Sequence, residues 1–170
     1  EPVGFDELTV TEYAALLAAL HDLDPADRHR VDVLAEAFSL SGRLDARLGD
    51  LSKGQRRKAS LVAGLGLAKP VALVDEATAT LDPEAAVALR AILRAHALRG
   101  GAALRATQDL PFAEISCDVV VLLGAGRVLA QGAPQRLLAR HGASHLEDVF
   151  LAVTGNDLLQ EAILARLAAV

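Results

Sequence analysis

The sequence has no methionine and no tryptophan, one cysteine, one tyrosine and four phenylalanines. A single cysteine, Cys117, excludes an internal disulfide and fits a reducing compartment. Aromatics at 3% provide no set of base-stacking rings, and 17 Lys plus Arg against 22 Asp plus Glu leaves a net charge of −5 with no basic footprint. Both absences argue against a nucleic-acid partner. Long hydrophobic runs are missing as well: the best candidates, residues 61–68 and 119–126, fall well short of the roughly 18 apolar residues that a membrane-spanning helix needs. No signal-peptide pattern opens the chain, so a cytoplasmic protein is expected. Methionine is absent even from position 1, and Glu1 is not the small residue that licenses removal of an initiator. The sequence is therefore expected to start inside a longer protein.

What is present is 170 residues, 52% of them hydrophobic, enough to bury a core. The first half reads as helices. Thr9-Val-Thr-Glu12 has capping-box spacing ahead of apolar residues out to Leu20. Asp24-Pro25 supplies an N-cap and a first-turn proline for a second helix ending near Phe38. Residues 42–49 read as a connection, and Ser52-Lys-Gly-Gln55 opens a third helix to about Ala68. From residue 70 the pattern alternates. Val71–Val74 reads as a strand buried on both faces that ends in Asp75-Glu76; Pro83–Leu98 is a helix stopped by Gly100-Gly101; Ala102–Thr107 is a second buried strand. A short helix (110–115), a hairpin (119–123 and 127–131) and helices at 134–140, 146–154 and 158–169 complete the expectation. A helical block followed by alternating strands and helices implies an α/β fold with a parallel sheet.

Four segments bear on chemistry. Lys53, Arg56, Arg57 and Lys58 crowd the first turns of the third helix, where the macrodipole already presents positive potential, at a cost of a few tenths of a kcal/mol each. Together with the free N–H groups of a helix start and the permissive Gly54, they suit a polyphosphate anion. Asp75 and Glu76 end a parallel strand at its carboxyl edge, where ligands of α/β sheets bind. Divergent side chains there would direct one acid at a Mg²⁺ and the other at an attacking water. Thr80-Leu-Asp82-Pro83 and Ala106-Thr-Gln-Asp109 read singly as a helix cap and a polar loop. His141 and His145 flank Gly142 in a turn and are not expected to bind metal. His21, His29 and His96 are read as surface residues, Cys117 as a small buried residue, and Tyr13 with Phe5, Phe38, Phe112 and Phe150 as packing.

In order, Leu51-Ser-Lys-Gly-Gln55, the strand with Asp75-Glu76, Leu81-Asp-Pro83 and Ala106-Thr-Gln-Asp-Leu110 resemble the motifs of the ATP-binding cassette (ABC) ATPases. Arg127-Val-Leu-Ala-Gln-Gly132 is similar to that family's late hairpin. Leu146 to Gly155 is similar to the tail of the ABC-2 and drug-resistance exporter branch. The resemblance implies a P-loop NTPase-like (RecA-like) parallel sheet core, incomplete here. An ABC helical subdomain with its signature helix (1–68) would precede the C-terminal part of the core (69–132) and C-terminal helices (133–170). It implies that Ser52, Gly54 and Gln55, with Lys53 between them, contact ATP held by a second ABC ATPase subunit. Asp75 then corresponds to the Walker B aspartate holding Mg²⁺, Glu76 to the catalytic glutamate and Asp82 to the D-loop aspartate. Gln108 occupies the place of the switch histidine. The implied assembly is a homodimer, peripheral on the cytoplasmic face of an integral membrane permease and energising export.

Five departures from the family pattern are visible. Gln108 can donate a hydrogen bond but cannot relay a proton. Lys53 replaces a usual glycine, and Ala77 and Thr80 replace the usual proline and glycine. The 170 residues contain no G-x-x-x-x-G-K-[ST] phosphate cradle, so this polypeptide alone is expected to be inactive. A non-catalytic or degenerate module offering a signature face to a partner is one alternative, and a soluble ABC protein of ribosome or DNA-repair type is another. Without the P-loop strand, a sheet edge and apolar faces should lie bare and favour self-association.

Overall fold

The computed structural model describes residues 4–22, 28–155 and 166–167. The chain divides into two compact units, Glu1–Thr107 and Gln108–Val170. The boundary falls inside the 69–132 segment expected to form one part of the core.

The first unit opens with α1 (Val10–Leu20), set by a complete capping box: Glu12 N–H donates to Thr9 Oγ1 at 3.1 Å, and Thr9 N–H donates to the Glu12 carboxylate at 2.8 Å. Helix α2 spans Arg28–Ala37. Asp24-Pro25, the expected start of this helix, lies outside the described residues. Two short 3₁₀ turns, Ser41–Arg43 and Leu48–Asp50, make the connection, which is stitched back onto the chain start by Leu48 N–H to Leu8 C=O at 2.8 Å. Helix α3 (Lys53–Gly66) packs against both α1 and α2. Phe38, Leu40, Leu48, Val10 and Val62 are essentially sealed from solvent there. Each such side chain contributes about 1.5–3 kcal/mol by leaving water. Tyr13 is buried, with the exposed Phe5 ring 5.6 Å from it.

Strands β1 (Val71–Asp75) and β2 (Ala102–Ala106) pair in parallel, Val71 opposite Ala102 through Asp75 opposite Ala106, with α4 (Pro83–Leu98) as the crossover. Both strands were expected to be buried on both faces, and they are not. Val71, Leu73 and Leu104 are 57%, 76% and 68% exposed, and in β1 only Val74 is buried. The reason is geometric. Residues 71, 73 and 104 share one face of a two-stranded sheet, and α4 and the helical block leave that face uncovered among the described residues.

The second unit comprises α5 (Leu110–Ser116), an antiparallel hairpin of β3 (Val120–Gly124) and β4 (Arg127–Gly132), α6 (Pro134–His141) and α7 (Leu146–Thr154). Val120, Leu122, Ala130, Leu137, Leu146 and Val149 form its core. Cys117 is half-buried at its margin. Gly142, at φ +62°, ends α6 in the left-handed conformation that glycine adopts without a Cβ penalty. The expected helix 158–169 lies outside the described residues apart from Arg166 and Leu167. No helix among the described residues is long and apolar enough to cross a membrane.

Candidate nucleotide site

The site in the first unit is assembled from the start of α3 and the loop that leaves β1. Ser52 N-caps α3, its hydroxyl accepting from Gln55 N–H at 3.3 Å. The Gln55 side-chain oxygen accepts from Ser52 N–H at 3.0 Å. The box uses the oxygen of Gln55 and leaves its NH₂ as a donor the cap does not need. Lys53 is exposed at the helix start. Gly54 faces the neighbouring loop, and a Cβ there would stand 3.3 Å from the Thr80 carbonyl oxygen, so any larger residue must push that loop away.

The cations that follow are not arranged around an open anion pocket, as the sequence suggested. Arg56 pairs with Asp6 at 2.9 Å, Arg57 donates from Nη2 to the carbonyl oxygen of Asp75, and Lys58 meets the Asp82 carboxylate at 2.6 Å. Two of these charges are countered by carboxylates of the same chain, which offsets part of the unfavourable helix dipole, and the third is hydrogen-bonded to a neutral carbonyl.

Asp75 ends β1 with an exposed side chain. Glu76 is half-buried and leaves the strand at φ +42°, in the left-handed region. Strand alternation therefore does not set its direction, contrary to expectation, and the conformation costs a non-glycine residue about 1–2 kcal/mol. Its N–H donates to Ala106 C=O on β2 at 2.9 Å. Farther along the loop, Thr78 Oγ1 accepts from Arg105 Nη2 at 2.7 Å, and Arg105 also reaches Thr107 Oγ1 at 3.3 Å. The loop ends at Asp82, which N-caps α4 through Ala85 N–H at 2.8 Å. The hydrogen bond from Lys58 and then that from Ala85 hold the Asp82 carboxyl below its ordinary range.

Arg105 is the neighbour of this loop that sequence reasoning missed, whereas Arg57 was read only as one cation of the basic run and not as a partner of the Asp75 carbonyl. A lone arginine inside the apolar strand Ala-Ala-Leu-Arg-Ala was the available signal for Arg105. Arg57 carries none beyond its place in a basic run. Gln108, the first residue of the second unit, is exposed, and the adjacent Asp109 caps α5 through Phe112 N–H at 3.0 Å. His141 ends α6 and His145 precedes α7, and the described residues hold no group of three or more His, Cys, Asp or Glu that could bind a metal. His21 and His29 are exposed, while His96 is half-buried against the Pro70 carbonyl at 3.2 Å.

No family model matches the chain. Individual proteins do. The doxorubicin resistance ATP-binding protein DrrA of Mycobacterium tuberculosis is 34% identical over 143 residues, 84% of this chain and 42% of that protein. The Nod factor export ATP-binding protein I of Rhizobium sp. (strain N33) is 33% identical over 117 residues, covering 69% of this chain and 38% of that one. Among solved structures, an ATP-binding subunit of an ABC transporter superposes with a TM-score of 0.81 at 31% identity, over 90% of this chain and 65% of its own. An ATP-binding cassette in its ADP conformation shares the fold at a TM-score of 0.64 and 18% identity. The chain thus spans less than half the length of these curated relatives. In sequence and in fold, over the part it spans, the chain belongs to the ATP-binding cassette ATPases, with their P-loop NTPase architecture.

Proposed function

We propose that this chain supplies the signature turn and the acid-bearing strand end of an ATPase subunit that powers export through a separate membrane permease. The observation that carries the reading is the bonding of the Ser52–Gln55 helix to the loop behind Asp75 and Glu76, through Arg57, Lys58 and the close approach of Gly54 to Thr80. Relatives named for drug resistance and for Nod factor export support the export role.

In this reading Ser52, Lys53, Gly54 and Gln55 present N–H, hydroxyl, amide and ammonium donors to the terminal phosphate of ATP bound by a second, identical subunit. Asp75 suits Mg²⁺ as a single exposed carboxylate, because this ion keeps several waters and takes phosphate oxygens as further ligands. The ion would neutralise charge developing on the phosphates. Glu76 orients and polarises the hydrolytic water, and Gln108 donates an amide hydrogen to a phosphate oxygen. Asp82, at the head of α4, relays changes between subunits. The protein works on the cytoplasmic face of the membrane, and its net negative charge leaves nucleic acid without a role.

A non-catalytic role, offering only a signature face, is favoured by one observation: Gln108 stands where a proton relay is expected. Calorimetric titration of this polypeptide with Mg-ATP separates binding from presentation. The expected affinity is millimolar or weaker. Micromolar binding would show that the missing cradle is dispensable and would overturn the assignment of Ser52–Gln55 to a nucleotide held elsewhere.

A further inference from the structure

The peptide group that joins Asp75 to Glu76 is held at both of its polar atoms. Its carbonyl oxygen, belonging to Asp75, accepts from Arg57 Nη2 on α3. Its N–H, belonging to Glu76, donates to Ala106 C=O on β2 at 2.9 Å. Two tethers from different elements stop this peptide plane from rotating, which fixes ψ of Asp75 and φ of Glu76. That φ is +42°, a region a glutamate does not adopt unless its surroundings impose it.

We infer that Arg57 is a positioning residue for Glu76, setting the direction in which its side chain leaves the strand end. The neighbouring cations are committed elsewhere, Arg56 to Asp6 and Lys58 to Asp82, so neither substitutes for it. Arg57 lies two residues beyond Gln55, on the helix that the Ser52–Gln55 turn begins. Any displacement of that turn is carried to the Glu76 backbone through one guanidinium. A lysine offers a donor on a similar stem but not the planar fork, and so should hold the peptide less firmly. Arg57 and Asp75 also line a common cavity of ≈ 450 Å³, which gives water access to the carbonyl once the guanidinium is gone. The catalytic consequence rests on the proposed ATPase role, whereas the backbone restraint does not.

The test is amide hydrogen exchange on the 170-residue chain. Arg57→Met should speed exchange at Glu76 N–H by about tenfold or more, a local opening, while amides in the middle of α3 stay as protected as before. Arg57→Lys should recover part of that protection. Asp6→Asn, which removes a different ion pair of the same helix, should leave Glu76 unchanged. Unaltered exchange at Glu76 in Arg57→Met overturns the proposal, as does loss of protection spread through all of α3 and β1, which would mark a structural role only. In a preparation that turns over ATP, Arg57→Met should lower kcat by about 10²-fold at unchanged KM, the effect of a misplaced catalytic group. A raised KM with kcat intact refutes it. If a preparation that includes a complete nucleotide site shows no turnover without the substitution, the ATPase reading fails and the exchange experiment on the 170-residue chain still decides the role of Arg57.

Discussion

Asp82 makes two interactions that substitutions can separate. One carboxylate oxygen caps α4 through Ala85 N–H at 2.8 Å, and the other meets Lys58 Nζ at 2.6 Å. Asparagine caps a helix about as well as aspartate, so Asp82→Asn keeps the first and discards the charge of the second. Alanine discards both. Loss of a cap costs about 1 kcal/mol. Exposed ion pairs are worth about 0–1 kcal/mol, and here the Lys58 side chain is only 13% exposed while Asp82 is 49% exposed, which places this pair near the upper end. The expectation is about 1 kcal/mol for Asp82→Asn and about 2 kcal/mol for Asp82→Ala. Lys58→Met should add little once Asp82 is asparagine, giving a coupling energy of about 1 kcal/mol in a double-mutant cycle.

The pair also sets a pH dependence with a definite sign. Its hydrogen bond from Lys58, and then that from Ala85, hold the folded carboxyl below its ordinary value of 3.8. A lowered folded pKa means that the unfolded chain takes up its proton first. The stabilisation is complete above the ordinary aspartate pKa and is lost as pH falls through 3.8 and then through the depressed folded value. Urea denaturation of the wild-type, Asp82→Asn and Asp82→Ala chains, followed by circular dichroism from about pH 7 to about pH 3, measures all of this. The wild-type advantage over Asp82→Asn should shrink toward zero at the acid end. An asparagine variant as unstable as the alanine variant, or a difference that ignores pH, would refute the assignment of two separate interactions.

Two further outcomes follow from the geometry. At Glu76, where φ is +42°, Glu76→Gly should be more stable than Glu76→Ala by about 0.5–1 kcal/mol, the reverse of an ordinary position; equal melting temperatures would show that no strain resides there. Replacing Leu73 by lysine and Leu104 by glutamate, both on the bare sheet face, should reduce self-association in light scattering without altering circular dichroism, and undiminished association would exclude this face as the contact.

Legibility in the sequence followed the range of the interactions. The capping boxes at Thr9–Glu12 and Ser52–Gln55 and the Asp82-Pro83 helix start are set by side chains three residues apart, and each stands where its spacing placed it. The parallel pairing of β1 and β2 follows from the apolar strand, helix, apolar strand rhythm. The apolar runs of β1 and β2 taken alone read as buried, and the exposure of Val71, Leu73 and Leu104 agrees instead with the bare apolar faces that were also expected. The left-handed turn at Glu76 was hidden. No glycine or asparagine marks it, and its cause is a pair of hydrogen bonds to residues 57 and 106, distant in sequence.

The basic run at the start of α3 has internal partners that its position on the helix did not reveal. Four cations in two helical turns oppose the helix dipole, and the simplest reason to tolerate them is an anion arriving from outside. Three of them instead bind oxygens at three separated places in the chain, Asp6, the Asp75 carbonyl and Asp82. Lys53 alone of the four makes no ion pair or hydrogen bond among the described residues. Of the four cations, Arg56 and Lys58 are thus countered by carboxylates, while Arg57 is held on a neutral carbonyl and keeps its charge. Of these three, Arg57 ties the helix to the strand end that carries Asp75 and Glu76, Lys58 ties it to the head of α4, and Arg56 ties it to the chain start. Residues that would weaken an isolated helix thus anchor its first turns to three separate segments.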